Sequence, residues 1–310
     1  MKTIFGISHW KKPFKNPVVA IGVFDGLHLG HQDLMKLTVK KAGQIHGTAM
    51  VMTFSPHPVH VLHPHIHLPL ITSFSDRLKL LECFGIDVCL VVHFTKRFSR
   101  LTPEQFIKRY IVDIIKAKTV VVGDDFRFGA HRRGTLEIFQ EAGKKYGFKV
   151  MGLHAVKRNK KMISSTAIRQ WISEGKFADA SRLLGRPVTL SGKVISGDKR
   201  GKKLGFPTAN IRFTNQVIPP LGVYAVTVTV GRTKHFGLAN IGRRPSFHPH
   251  GPIQVEAHIL DFKKNIYGQE ITIAFLKKIR NEKRFLSPDH LVAQIRRDEQ
   301  QARSYFNHLQ

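Results

Sequence analysis

Val18-Val19-Ala20-Ile21-Gly22-Val23-Phe24-Asp25-Gly26-Leu27-His28-Leu29-Gly30-His31 decides the fold of the first half of the chain. The apolar run reads as a buried strand, and a glycine-punctuated turn follows it. From Gln32 onward Leu34, Met35, Leu37 and Val39 are apolar and lysines take most of the other face, which is a helical pattern. Strand, glycine turn, helix is how an α/β domain sets a helix N-terminus against a phosphate. Gly22, Gly26 and Gly30 allow close backbone approach. His28 and His31, three apart where the helix begins, can face one anion. Transfer of a nucleotidyl group builds charge on phosphorus and on departing pyrophosphate. Fixed donors aimed at that charge lower the barrier without a protein nucleophile.

The remaining punctuation divides the chain. At 310 residues and 42% hydrophobic it can bury two cores. Strand-like runs at 48–54, 86–94 and 119–123 alternate with helical patterns, one over 75–85 capped by Ser75 and stopped by Gly85, another opened by Thr102 and Pro103. Such runs alternating with helices predict a Rossmann-like parallel sheet. After Gly185-Arg186-Pro187 the pattern changes to short strands with frequent turns (188–196, 222–231, 235–241, 254–260, 270–276) and a last helix over 288–306. That spacing predicts an antiparallel barrel with a terminal helix. The expected domains are therefore 1–185 and 186–310, α/β followed by all-β.

Composition narrows the setting. Cys83 and Cys89 lie in apolar surroundings and do not make a disulfide framework, so both are expected buried and free in a reducing cytoplasm. The chain shows no signal peptide and no run long enough to span a bilayer. The net charge of +29 is shared between the halves rather than gathered in a tail. Anionic small substrates, loose nucleic-acid binding and a solvated basic surface all accommodate it. Without zinc-finger spacing or an RNA-binding aromatic motif, nucleic acid is not an expected partner.

Further stretches carry chemistry. Thr53-Phe54-Ser55-Pro56-His57-Pro58 ends a strand at prolines and opens a histidine cluster of His57, His60, His63, His65 and His67. A metal site is one reading of the cluster. An irregular, basic, exposed loop is the simpler one, given Pro58, Pro64 and Pro69. Gly123-Asp124-Asp125-Phe126-Arg127-Phe128-Gly129 places Asp125 and Arg127 at the carboxyl end of a strand, where α/β sheets present ligand groups. Ile163-Ser164-Ser165-Thr166-Ala167-Ile168-Arg169 puts hydroxyls, free backbone N–H groups and an arginine at one helix start, a set that suits a triphosphate. In the second half, Gly197 to Asn210 is a basic, glycine-rich loop ending Gly205-Phe206-Pro207-Thr208-Ala209-Asn210. Thr208 and Asn210 are two apart and point to one side of an extended segment, so their neutral oxygens can complete a Mg²⁺ shell. Glu256 alternates with Val255 and Ala257 and points away from them. That placement fits a carboxylate beside an alcohol, or a solvent-facing strand residue. His258, on the same face, carries no assignment.

These stretches resemble a known family. Gly-x-Phe-Asp-Gly-x-His-x-Gly-His with Ile-Ser-Ser-Thr-x-x-Arg is similar to the flavin branch of the nucleotidylyltransferases. Gly197-Asp198-Lys199-Arg200-Gly201-x-x-Leu204-Gly205-Phe206-Pro207-Thr208-Ala209-Asn210, Gly222-Val223-Tyr224, Ala239-Asn240-Ile241-Gly242 and Val255-Glu256-Ala257-His258 resemble the riboflavin kinase domain. The likeness runs from about residue 18 to about residue 303, with both motif sets in order: that of bacterial bifunctional riboflavin kinase/FMN adenylyltransferases. It implies an ATP-dependent, cytoplasmic enzyme that phosphorylates riboflavin to FMN and adenylylates FMN to FAD, with Mg²⁺ as cofactor and ATP as co-substrate. By resemblance, His28, His31, Arg169 and Glu256 are catalytic. Gly22, Phe24, Gly30, Ser164, Ser165, Thr166, Gly197, Lys203, Thr208 and Asn210 meet nucleotide, with Thr208 and Asn210 also holding the metal. Asp25, Pro56, His57, Asp125 and Arg127 border flavin. The other reading is a single-activity FMN adenylyltransferase whose C-terminal module is a flavin-binding regulator or binds RNA. The intact Thr208, Asn210 and Glu256 argue against it. Weak self-association stays open.

Overall fold

The computed structural model describes residues 1–10, 13–154, 157–158, 161–197, 201, 204–243 and 252–308. Of the residues singled out above, Lys203 lies outside the described residues, as does the basic stretch 198–200. The chain divides into two compact units, Met1–Leu68 with Phe74–Ser165 and Pro69–Ser73 with Thr166–Gln310.

The first unit is a parallel sheet. Its strands are β1 (Lys2–Phe5), β2 (Pro17–Ile21), β3 (Thr48–Ser55), β4 (Val88–His93), β5 (Thr119–Gly123) and β6 (Lys149–Leu153), in the order β1-β4-β3-β2-β5-β6. Every neighbouring pair is parallel. Alternate residues of β2 and β3 face opposite sides: Val19, Ile21, Met50 and Met52 enter one core, and Val18, Ala20, Ala49 and Val51 the other. Both faces are covered by helices, which is why these strands read as unbroken apolar runs. Ile107, Ile111 and Phe139 close the first face, while Leu34, Met35 and Leu81 close the second. The strand order turns at the β2–β5 pair, and the crevice beyond the carboxyl ends of such a pair is where α/β sheets bind ligands.

Local departures from the expected elements have local causes. Edge strand β1 carries no alternation strong enough to announce itself. The 75–85 helix spans Phe74–Cys83, which leaves Ser75 in its first turn rather than at its cap. Gly85 stops it as expected, at φ 81°. Part of the expected irregular histidine loop is a short helix, Pro58–Leu62, because Pro58 suits the first helical position and the His57 ring accepts the Val59 N–H. Thr102 caps the short helix Pro103–Phe106 in a reciprocal box with Gln105, and the chain continues as π-helix over Ile107–Ile115. The expectation of two buried cysteines is corrected. Cys89 is buried, and burial pushes its thiol up to about 12. Cys83 is exposed, because two helical positions carry it away from the buried Leu81. A two-strand hairpin, β7 (Lys157–Arg158) and β8 (Lys161–Met162), precedes the helix Ser165–Ser173.

The second unit is a closed antiparallel barrel of β9 (Val188–Ile195), β10 (Ala209–Arg212), β11 (Gly222–Val230), β12 (Thr233–Arg243), β13 (Ile253–Ile259) and β14 (Glu270–Arg280). The order is β10-β13-β12-β11-β14-β9, with β9 pairing back to β10. Closure removes every edge that an open sheet would leave. Pro69–Ser73 joins this unit through Leu70, which bridges Gln216. The terminal helix Pro288–Asn307 starts on a Ser287 cap with Pro288 in its first turn. It lays Ala302 and Phe306 on Val223, Ala225 and Leu238, with the Phe236 and Phe306 rings stacked at 4.2 Å. Its buried Asp298 receives a two-atom grip from Arg280 of β14 at 2.9–3.0 Å. No helix among the described residues is long and apolar enough to cross a membrane.

Candidate functional site

The quoted turn occupies the predicted place, directly after β2 at the switch of strand order. Its path is unusual: Phe24, Gly26 and Leu27 all have positive φ (55°, 78° and 38°). Tertiary hydrogen bonds hold it there. The Val23 carbonyl accepts from Thr53 Oγ1 at 3.1 Å and from an Arg77 guanidinium nitrogen at 2.6 Å. The Asp25 carbonyl accepts from Ser165 Oγ at 3.1 Å, and the Leu27 carbonyl from Gln32 Nε2 at 2.9 Å. The chain emerges at His28, which caps the helix Leu29–Gln44.

The two histidines form one device. Their rings stack with centroids 3.6 Å apart, and the Phe24 ring stands edge-on to His31 at 5.3 Å. His28 Nδ1 accepts the His31 backbone N–H at 3.4 Å, which leaves Nε2 as the ring nitrogen that can donate. Burial, then the nearby His28 and the Arg77 guanidinium, hold the His31 imidazole well below its usual range. That ring is neutral at pH 7, and its buried Nδ1 has no partner among the described residues. Two stacked imidazoles beside a helix N-terminus make a donor array for an incoming anion.

The array opens into a cleft of about 1290 Å³ in the first unit. Gly22, Phe24, His28, Gly30, His31, Ser164 and Ser165 line it, and so do His57, Asp125 and Arg127. Asp25 and Pro56 do not. Asp25 is 3% exposed, and its charge favours the Arg77 guanidinium. Thr166 and Arg169 belong to the second unit, where Arg169 Nε donates to the Pro69 carbonyl at 2.9 Å.

A second constellation sits in the barrel. The register sets Asn210 of β10 and Asn240 of β12 on either side of Glu256 of β13. Directly opposed residues share a face, so these three side chains form one polar row, while Val255 and Ala257 are buried on the other face. Thr208 Oγ1 donates to Glu256 Oε2 at 3.3 Å. Gly197 makes room for Asn210: a Cβ there would stand 2.1 Å from Asn210 Nδ2. His258 donates from its ring to the Pro207 carbonyl at 2.8 Å and meets the Phe206 ring edge-on. It therefore ties down the residue before Thr208.

Comparisons with known proteins follow the same division. The family model for FAD synthetase matches residues 11–167, and the model for riboflavin kinase matches residues 184–306. The bifunctional riboflavin kinase/FMN adenylyltransferase of Escherichia coli (strain K12) is 41% identical over 308 residues, covering 99% of this chain and 98% of that protein. The protein of the same name from Bacillus subtilis (strain 168) is 39% identical over 319 residues, covering 100% and 99%. This chain belongs to the bifunctional riboflavin kinase/FMN adenylyltransferase family. A crystal structure described as a macrolide-efflux protein from Streptococcus pneumoniae shares the backbone, with a TM-score of 0.85 and 33% identity over 98% of this chain and 99% of that one.

Within this family member, the sequence motifs name the residues at the surface of each site and miss those behind them. Arg77 and Gln32 hold the turn yet belong to no motif, and Thr53 opens a motif singled out for Pro56 and His57 rather than for this role. Arg77 did leave a signal: with Phe74, Leu78 and Leu81 it completes an i, i+3, i+4, i+7 stripe, so a charge sits at a core position of a helix. His258 left only its shared face with Glu256.

Proposed function

We propose that the two activities of the family divide residue by residue between the two constellations described above. The chain is an ATP-dependent riboflavin kinase and FMN adenylyltransferase. The domain division that goes with this reading is 1–185 and 186–310, with the adenylyltransferase residues first. What supports it is the presence of two chemically different sets: stacked imidazoles in a cleft, and a carboxylate aligned with neutral oxygens on a barrel wall.

In the barrel, Glu256 accepts the proton of the ribityl 5′-hydroxyl as that oxygen attacks the γ-phosphorus of ATP. The bond from that phosphorus to the β,γ-bridging oxygen breaks, ADP leaves, and FMN forms. Thr208 and Asn210 offer a hydroxyl and an amide oxygen, hard neutral donors of the kind Mg²⁺ takes alongside phosphate oxygens. The space left by Gly197 and the Thr208–Glu256 bond keep both beside the base. Bound there, Mg²⁺ would neutralise charge on the transferring phosphates. In the cleft, an FMN phosphate oxygen attacks the α-phosphorus of a second ATP and pyrophosphate departs. His28 and His31 donate to the developing charge, and Ser164 and Ser165 meet the phosphates; for Thr166 and Arg169 a phosphate-binding role is what the family resemblance implies. His57, Asp125 and Arg127 border the flavin. Cytoplasmic placement belongs to the same reading, with both cysteines free.

One chromatogram tests the whole. Riboflavin, ATP and Mg²⁺ incubated with the protein are expected to give FMN first and FAD later. FMN alone would overturn the assignment of the cleft, and neither product would overturn both. A sharper test is Gly197→Ala, whose new Cβ displaces Asn210. The phosphorylation rate should fall by on the order of 100-fold, the usual cost of a displacement of about 1 Å in a positioned group, while adenylylation of supplied FMN is unchanged.

A further inference from the structure

Arg77 is 4% exposed on the helix Phe74–Cys83. A buried guanidinium is expensive unless its donors are used and its charge is answered. One nitrogen spends a 2.6 Å hydrogen bond on the Val23 carbonyl, an acceptor shared with the buried Thr53 hydroxyl. The cation lies 5.0 Å from the Phe74 ring centroid, and Asp25 answers its charge. Its Nε is buried with no partner among the described residues. Val23 begins the turn that carries the histidines, and the positive φ values after it need an outside hold. A neutral residue could fill the stripe position more cheaply, and Thr53 already satisfies the carbonyl. A charge kept at that cost therefore points to work on the site.

We propose that Arg77 is a positioning residue for adenylyl transfer: its guanidinium fixes Val23 and, with Asp25, the turn that presents His28 and His31, and it sets a permanent positive charge behind the histidine pair. The inference rests on the adenylyltransferase reading of the cleft. The titratable groups that face His31 are His28 on the turn and Arg77 on the helix behind it; Asp25 of the turn and Cys89 of β4 face Arg77 in turn. His28 and Arg77 both oppose a proton on His31. Arg77 thus adds to burial and His28 in keeping the imidazole an electrically neutral donor until polyphosphate arrives.

The test uses the full chain with Arg77→Met and Arg77→Lys. Adenylylation of FMN is followed against pH, and the His31 ring is titrated directly by NMR without nucleotide. For Arg77→Met, kcat should fall by on the order of 100-fold. The acid limb of the profile should move to higher pH, and the His31 titration should move up toward 6.5, its ordinary value. Arg77→Lys keeps the charge but loses the fork. It should keep the wild-type acid limb with a kcat reduced by about tenfold. Unchanged kcat in Arg77→Lys together with an unmoved titration in Arg77→Met overturns the proposal. If Arg77→Met does not fold, Arg77→Lys decides alone: wild-type kcat overturns the proposal, and reduced kcat on an unmoved limb supports it. A wild-type chain that makes no FAD from FMN would instead sink the adenylyltransferase reading, and the NMR titration would still report on Arg77.

Discussion

Glu256→Gln is expected to stop riboflavin phosphorylation while FMN supplied from outside is still converted to FAD at the wild-type rate. The substitution preserves shape. Thr208 Oγ1 donates to Glu256 Oε2 at 3.3 Å, and the amide oxygen of glutamine can accept the same hydrogen bond. Asn210 and Asn240 keep their register on either side. What disappears is the capacity to take the proton of the attacking alcohol. General base catalysis contributes about 10²–10⁴ in rate, so a loss of about 10³-fold is expected. The measurement is initial FMN formation from riboflavin and ATP, with FMN-to-FAD conversion as the control in the same preparation. A wild-type phosphorylation rate in Glu256→Gln would remove Glu256 from the role of base.

The second large effect is the reciprocal one. His28→Ala with His31→Ala should abolish FAD formation and leave FMN formation intact. Losing one preorganised donor to a charged transition state costs about 10²–10³ in kcat, so the pair together should cost at least about 10³. The two positions are not equivalent. His28 also caps the helix Leu29–Gln44 by accepting the His31 N–H, so His28→Ala additionally removes a cap of about 1 kcal/mol. His28→Asn separates the terms: asparagine is a good cap without an imidazole, so it should restore helix stability but not adenylylation. His31→Ala removes a ring that caps nothing, and its loss reads the chemistry more directly. Adenylylation surviving in the double variant would show that the imidazoles are not the donors. Loss of both activities in a folded double variant would show that the two halves do not act as assigned.

Much of this molecule is written in local pattern. The β2 run, the glycine turn, the Thr102–Pro103 helix start and the alternating strands of the barrel are short-range signals, because side-chain period and backbone preference act over a few residues. The motif residues at the cleft wall and on the barrel are legible for the same reason. The residues that hold them are not. Val23 is pinned by Thr53 and Arg77, thirty and fifty-four positions away, and Pro207 by His258, fifty-one positions away. No local pattern records such partners. Cys83 and Cys89 make the point from the other side, since similar apolar neighbours surround an exposed thiol and a buried one.

The sequence by itself determined the order of the two architectures, the strand-turn-helix that carries His28 and His31, and the extended segment that carries Thr208 and Asn210. Each of these depends on contacts between neighbours in the chain. Only the tertiary structure decided that the histidine rings stack, that His31 is neutral, that Glu256 lies between two asparagines, and that a buried arginine stands behind the turn. Those facts depend on burial and on pairing between distant strands and helices, and burial is a property of the folded whole: it fixes which charges lose water and which partners remain to answer them.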